Sequence, residues 1–238
     1  MNFFKTALNV DVHDIDFNGI AKASAIMRYL QSAAQLQLTE NGMSYDELKE
    51  KNKAFILSRI RVEFTGALRA HEPLAAITYP CKSRAYSFLR CYELLRDGKT
   101  MARAVSIWAL VDTKEHSLVK VNDFDLGLET YDVPDIPFER IVMPKNLENV
   151  GTFSVSYGTV DRNRHMNNTS YADLYSSFLP IENKRIEYIT IHYVNEAPLS
   201  EKLTVMLGKR DSIFYIRTLR QDGKVNTEAE IKLCDIEN

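Results

Sequence analysis

Asp161, Asn163 and His165 stand at alternate positions in the stretch Val160-Asp161-Arg162-Asn163-Arg164-His165-Met166-Asn167-Asn168-Thr169-Ser170-Tyr171-Ala172. Residues at i, i+2 and i+4 of an extended chain point to the same side. The spacing therefore predicts a carboxylate, an amide and an imidazole on one face. A polar turn follows, then a helix with Tyr171, Leu174, Tyr175 and Phe178 on its apolar side. Such a trio, just ahead of a helix N-terminus, suits the holding of a carbonyl and the activation of water. The same residues admit a purely structural reading. Asp161 and Asn163 are good turn and cap formers, and His165 a local hydrogen-bonder.

The bulk properties narrow the chemistry. The chain has 238 residues, enough for one large domain or two smaller ones. Apolar residues make up 45% and charged residues 26%, the profile of a globular protein. A net charge of −2 gives no global basic field for nucleic acid. Cys81, Cys91 and Cys234 form no metal-binding spacing and lie in apolar or strand-like runs, which predicts reduced, inward-facing thiols. Neither a metal nor a cofactor is expected. No apolar h-region or transit-type segment stands at the start. No run of ~18 apolar residues is long enough to span a membrane, so the expected compartment is the cytoplasm.

The elements that must position the trio follow from periodicity. Residues 3–13 alternate as a strand. Residues 20–40 carry helical apolar spacing, and Asn41-Gly42 ends the helix. Ser44-Tyr45-Asp46-Glu47 has the form of a capping box opening a short helix. Strand texture then runs from Phe55 to Val121, with a hairpin turn at Asp97-Gly98-Lys99. Residues 122–149, acidic and carrying Pro134, Pro137 and Pro144, read as a connector between two domains. Beyond it come a strand at 153–157, a helix over 169–178 stopped by Pro180, and strands at 186–193, 202–207, 213–219 and up to Leu233. The whole predicts an α+β protein with one domain over 1–121 and a second over 150–238.

The halves superpose as text. Asp16-Phe17-Asn18 matches Asp161-Arg162-Asn163. Ile60-Arg61-Val62-Glu63-Phe64 matches Ile189-Thr190-Ile191-His192-Tyr193. The Asp-Gly-Lys turns at 97–99 and 222–224 also match. Ordered correspondences of this kind indicate an internal duplication. In the first copy Ile20 stands where the second has His165, and Ala67 where the second has Glu196. Only the later copy looks chemically equipped. The small and apolar residues of the first long helix, Met27 and Leu30 among them, would suit either an acyl pocket or plain helix core.

The chain resembles the acyl-acyl-carrier-protein thioesterases, of the plant and bacterial oleoyl/palmitoyl type. The resemblance rests on Asp161-x-Asn163-x-His165-x-Asn167-Asn168-x-x-Tyr171, Arg59 to Phe64, Ala104 to Trp108, and Tyr193-Val194-Asn195-Glu196-Ala197. It implies a tandem hot-dog fold, in which each half is a long helix wrapped by an antiparallel sheet. It implies catalytic roles for Asp161, Asn163, His165 and Glu196. Plant members carry a cysteine after the acid. Ala197 stands there in this chain, which removes a cysteine-nucleophile route. The implied substrate is a phosphopantetheine-linked acyl chain on an acyl carrier protein (ACP), hydrolysed to end fatty acid synthesis.

On this basis Glu196 and His165 would activate water, Glu196 as general base, and Asn163 would hold the carbonyl or the water. Backbone N–H groups of Asn167 and Asn168 are the oxyanion candidates. Arg162, Arg164, Lys184 and Arg185 are candidates for docking the acidic carrier. Asp16 is a second, competing carboxylate. An acyl-CoA thioesterase, a hot-dog enoyl hydratase and a non-catalytic acyl binder are the rival readings. Hydratases of this fold carry D-x-N-P-x-H, one residue longer than the motif here. Oligomeric state is open, a homodimer included.

Overall fold

The computed structural model describes residues 3–236. The first half holds strands β1 (Phe4–Asn9), β2 (Lys53–Phe64), β3 (Pro73–Arg84), β4 (Ser87–Arg96), β5 (Lys99–Asp112) and β6 (Ser117–Val119). Its helices are α1 (Ala23–Glu40) and α2 (Tyr45–Glu50). The second half holds β7 (Glu148–Ser154), α3 (Ser170–Ser176), β8 (Lys184–Tyr193), β9 (Lys202–Arg210), β10 (Ile213–Leu219) and β11 (Val225–Asp235).

All strands join one 11-stranded antiparallel sheet in the order β1-β3-β4-β5-β2-β8-β11-β10-β9-β7, with β6 added to β5. Read inward from its two ends, the order of the first half (β1-β3-β4-β5-β2) repeats in the second (β7-β9-β10-β11-β8). The architecture is the α+β tandem hot-dog, its two sheets fused through β2 and β8. Ile60 pairs with Ile191 and Val62 with Ile189, and all four side chains are fully buried. On the outer face Arg61 donates to Thr190 Oγ1 at 3.1 Å and lies over the Tyr188 ring at 4.1 Å.

Local chemistry explains where elements start and stop. β1 is shorter than the alternation predicts, because the Asp11 carboxylate accepts the His13 N–H at 2.8 Å and folds Val12–Asp14 into a 3-10 turn. α1 begins three residues late because the Ala21 N–H is committed to Leu68 O at 2.8 Å. The capping box at Ser44 and Glu47 is present in full. α3 is only seven residues. The N–H groups of Phe178 and Leu179 bond three residues back, tightening the chain ahead of Pro180. The long helix expected in each half is thus long only in the first.

The segment after β6 is more than a link. It runs across the outer face of the first half, where Tyr131 exchanges backbone hydrogen bonds with Pro80 and Lys82. Ile136 is buried against Tyr79, Cys81, Cys91 and Val105, and Phe138 packs on the same cluster. The strap closes the layer over Cys81 and Cys91, both buried and free.

His192, on the outer face of β8, is half-buried beside the charges of Arg59 and Arg140, and its Nε2 has no hydrogen-bond partner. Burial first, then those two cations, push its pKa down from 6.5 to about 4. The unfolded chain therefore binds this proton at a higher pH than the fold does. Stability present above about pH 6.5 is lost as pH falls toward 4. In urea titrations the midpoint should fall between pH 7 and pH 5, and His192→Gln should flatten that fall. An equal fall in both proteins would remove His192 as the cause.

Candidate active site

Two loops of the second half carry the predicted chemistry, and backbone pairing holds them together. The loop over 161–165 opens with the Asp161 N–H bonded to His165 O at 2.9 Å and closes with a bridge between Val160 and Met166. The loop over 194–199 follows β8. Met166 N–H donates to Ala197 O at 2.8 Å, and Leu199 N–H donates to Arg164 O at 2.9 Å. Buried Asn226 clasps the second loop from behind. Its carbonyl oxygen of the main chain accepts the N–H groups of Val194 and Asn195, and its side-chain amide donates to Asn195 O. These ties bring His165 Nδ1 to 3.2 Å from Glu196 Oε2. Both side chains are partly open to solvent, Glu196 the more so.

Asp161, Asn163 and His165 do not alternate along an extended strand. Arg164 has φ +63°, and the segment is a tight turn. Asp161 Oδ1 accepts the N–H groups of Asn163 at 2.8 Å and His165 at 3.4 Å. Its carboxylate holds the loop in shape. The three residues still face one cavity, gathered by turn geometry and not by strand periodicity.

That cavity, about 700 Å³, lies between the halves. The second half lines its mouth with Asp161, Asn163, His165, Asn168, Tyr171, Tyr193 and Glu196. The first half supplies its depth, from Gln31, Ala34, Gln35 and Leu38 of α1, Leu57 of β2, Phe88 and Arg90 of β4, and Trp108 of β5. Tyr193 anchors the turn to the sheet, donating its hydroxyl to Asn168 O at 2.8 Å. Burial, aided by the Glu196 charge, pushes the Tyr171 hydroxyl up to about 12, so it stays protonated at neutral pH. Its oxygen accepts from Asn226 Nδ2 at 3.0 Å.

Several predicted site residues sit elsewhere. Met27 and Leu30 do not line the cavity. They lie one turn nearer the α1 N-terminus, fully enclosed in the core. The Asn167 N–H is already donated to Thr159 O at 2.8 Å and is not free for an oxyanion. The Asn168 N–H makes no hydrogen bond to another described residue. α3 begins at Ser170, two residues after Asn168, and has only seven residues. Arg162 and Arg164 ride the loop over 161–165, Arg162 paired with Asp46 at 2.8 Å and stacked on Tyr45. Lys184 and Arg185 do not flank this cavity. They line a second one, of about 470 Å³, beside Asp16, Ile20 and Ala67. Lys184 pairs there with Asp235, and Arg185 donates to Phe64 O at 2.8 Å.

Tyr45 escaped sequence reasoning, which gave it only a place in a capped helix. Its hydroxyl donates to Asn163 Oδ1 at 2.6 Å, across 118 residues. With the amide oxygen engaged, the Asn163 NH₂ is left to face the cavity. Asp161 Oδ2 is a weak partner for it at 3.5 Å.

The fold and the site define a double hot-dog protein with one equipped acyl-type cleft. Among solved structures, the fold is shared with an acyl-ACP thioesterase from Bacteroides thetaiotaomicron VPI-5482, at TM-score 0.89 and 19% identity, covering 98% of each chain. It is shared too with the 12:0-ACP thioesterase from Umbellularia californica, at TM-score 0.83 and 15% identity, covering 98% of this chain and 97% of that one. No curated protein matches the sequence. Residues 1–125 match the family model described as the acyl-ACP thioesterase N-terminal domain, and residues 143–234 match the C-terminal domain. The chain belongs to the acyl-ACP thioesterase family. It is a thioester hydrolase whose substrates are acyl-ACP thioesters, which removes the hydratase and non-catalytic readings.

Tyr45→Phe leaves the ring in place and frees the Asn163 amide to turn. Loss of one positioning hydrogen bond predicts a drop in kcat of about 10-fold with KM little changed. Wild-type kcat in a steady-state assay would dismiss the contact as incidental.

Proposed function

We propose that Glu196 and His165 activate one water between them, and that this water attacks the thioester carbonyl carbon of an acyl-ACP. The observation that carries this reading is the 3.2 Å approach of His165 Nδ1 to Glu196 Oε2 at the mouth of the shared cavity. Glu196 is the general base. His165, hydrogen-bonded to it, orients the water and relays the proton. Asn163 Nδ2 and the Asn168 N–H donate to the carbonyl oxygen as its charge grows. Collapse of the tetrahedral intermediate expels the phosphopantetheine thiolate, a good leaving group that needs little assistance. The product is a free fatty acid, and its release ends elongation of that chain in the cytoplasm. The halves act as separate contributors. Residues 1–121 wall the acyl chain, 150–238 carry the chemistry, and 122–149 bind the two together.

The acidic carrier docks beside the mouth, on the loop bearing Arg162 and Arg164. Support comes from Arg164, an exposed arginine held at φ +63° where the first copy has Gly19 at φ +74°. A left-handed arginine costs roughly 1–2 kcal/mol over glycine, so its presence suits a role outside folding.

Two measurements test these assignments. Glu196→Gln and His165→Ala should each lower kcat on acyl-ACP by on the order of 10²-fold. Near-wild-type turnover from both would end the water-activation scheme. Arg164→Gly should hold or raise thermal stability while lowering kcat/KM, and added salt should weaken the wild type more than the variant. Identical salt dependence in the two proteins would move the dock elsewhere.

A further inference from the structure

The substrate cavity contains a group that a hydrocarbon chain does not need. On β4 the core-facing positions are Phe88, Arg90, Tyr92 and Leu94. Arg90 therefore stands where the alternation calls for an apolar side chain, and it is only 7% exposed. Its Nη1 donates to Gln37 Oε1 at 2.6 Å and to Thr78 Oγ1 at 3.1 Å. Among the described residues both of its side-chain hydrogen bonds go to neutral groups, and no carboxylate pairs with it. A buried cation without a counter-charge is costly to a fold. Gln31 of α1 lines the same cavity, and its Nε2 is buried with no hydrogen-bond partner. A guanidinium on the sheet, hydrogen-bonded but without a counter-charge, and an amide on the helix above it, without an acceptor, line one cavity.

Their place along the cavity is set by strand register. Arg90 pairs with Ser106, Ser106 with Ile60, and Ile60 with Ile191, two residues before Tyr193. Arg90 is thus level with the end of β8 and three strands away from it. At the usual strand spacing that is about 14 Å across the sheet. A chain held at its carbonyl by Asn163 and running beneath α1 covers that distance in roughly ten C–C bonds, at about 1.3 Å advance each.

We infer that this cavity selects acyl chains bearing an acceptor oxygen, a hydroxyl or a carboxylate, at the end remote from the thioester, received by Arg90 and Gln31. A methyl-ended chain of the same length would leave the Gln31 amide unpaired and the Arg90 charge uncompensated, whereas an oxygen answers both. A site built to hydrogen-bond an oxygen discriminates strongly against the analogue that lacks it, because its polar groups are then left unpaired. The inference rests on the hydrolase reading above and adds the class of chain that the site takes.

The test uses three acyl-ACPs of about ten carbons, alike except for a methyl, hydroxyl or carboxyl at the far end. Free-thiol release gives kcat/KM for each. The oxygen-ended chains should exceed the methyl-ended one by at least about 10-fold. Arg90→Met should reverse the order, and Gln31→Leu should narrow the gap. Equal or better hydrolysis of the methyl-ended chain, with its rank unmoved by Arg90→Met, would overturn the inference. Calorimetry on non-hydrolysable acyl-pantetheine amides, which carry no free carboxylate at the head, separates this from failure of the hydrolase reading. The wild type should bind the hydroxyl-ended and carboxyl-ended amides more tightly than the methyl-ended one, whatever its turnover. Equal affinity for all three would overturn the inference even if every thioester were cleaved. Should Arg90→Met not fold, the wild-type ranking and Gln31→Leu decide it.

Discussion

The structure depends on the antiparallel pairing of β2 with β8. Each strand is the inner edge of its own half-sheet, and each would otherwise present unpaired N–H and C=O groups to water. Joined, they bury Ile60 against Ile191 and Val62 against Ile189 at the centre of an uninterrupted sheet. The same pairing decides where substrate goes. It sets the end of β8, with Glu196 just beyond it, beside the concave face of the first half, under α1. The cavity exists because two half-sheets were made one. Neither half encloses it alone.

Within that frame the two copies keep one loop geometry and use it differently. Asp16 N–H to Ile20 O repeats as Asp161 N–H to His165 O. Ala21 N–H to Leu68 O repeats as Met166 N–H to Ala197 O. The backbone is thus ready in both halves to set one side chain of each loop face to face. In the first copy those positions are Ile20 and Ala67, and in the second His165 and Glu196. Asn18 shows the same divergence. Its side chain caps the turn near Ile181, Asn183 and Lys184, whereas Asn163 is held by Tyr45 from the opposite half. Duplication supplied two identical clamps. Substitution left apolar residues in one and set an ionisable pair in the other.

Polar groups in the first half show how far specialisation has gone. On the outer face of its sheet Tyr131, Ile136 and Phe138 of the connecting strap cover Tyr79, Cys81, Cys91 and Val105. The inner face is apolar from Leu57 through Leu94 except at Ser106, Thr78 and Arg90. Ser106 is satisfied by Trp108 Nε1 and the Tyr92 hydroxyl, and Thr78 by Arg90 and Cys91 O. Arg90 alone of the three carries charge. A core polar group that packing does not demand is most economically explained by what the cavity holds.

Much of this was legible in the residues themselves. The capping box at Ser44, the stop at Pro180, the Asp-Gly turns and the duplication are local or repeated patterns, and local patterns survive folding. The D-x-N-x-H stretch suggests three residues on one face, and they do line one cavity, but not through strand alternation. Its alternation suggested a strand, but the Asp161 side chain bonds the backbone two and four residues on and bends the segment into a turn. Met27 and Leu30 suit either pocket wall or core, because helical spacing marks a buried stripe without saying whether core or cavity faces it, and the fold encloses both in core. What only the tertiary structure decided is long-range. It set Tyr45 on Asn163, Arg162 on Asp46, and β4 opposite the end of β8. Sequence specifies side-chain chemistry and near-neighbour geometry. Which distant groups share one water-poor space depends on strand order and register, and those are settled only when the whole sheet closes.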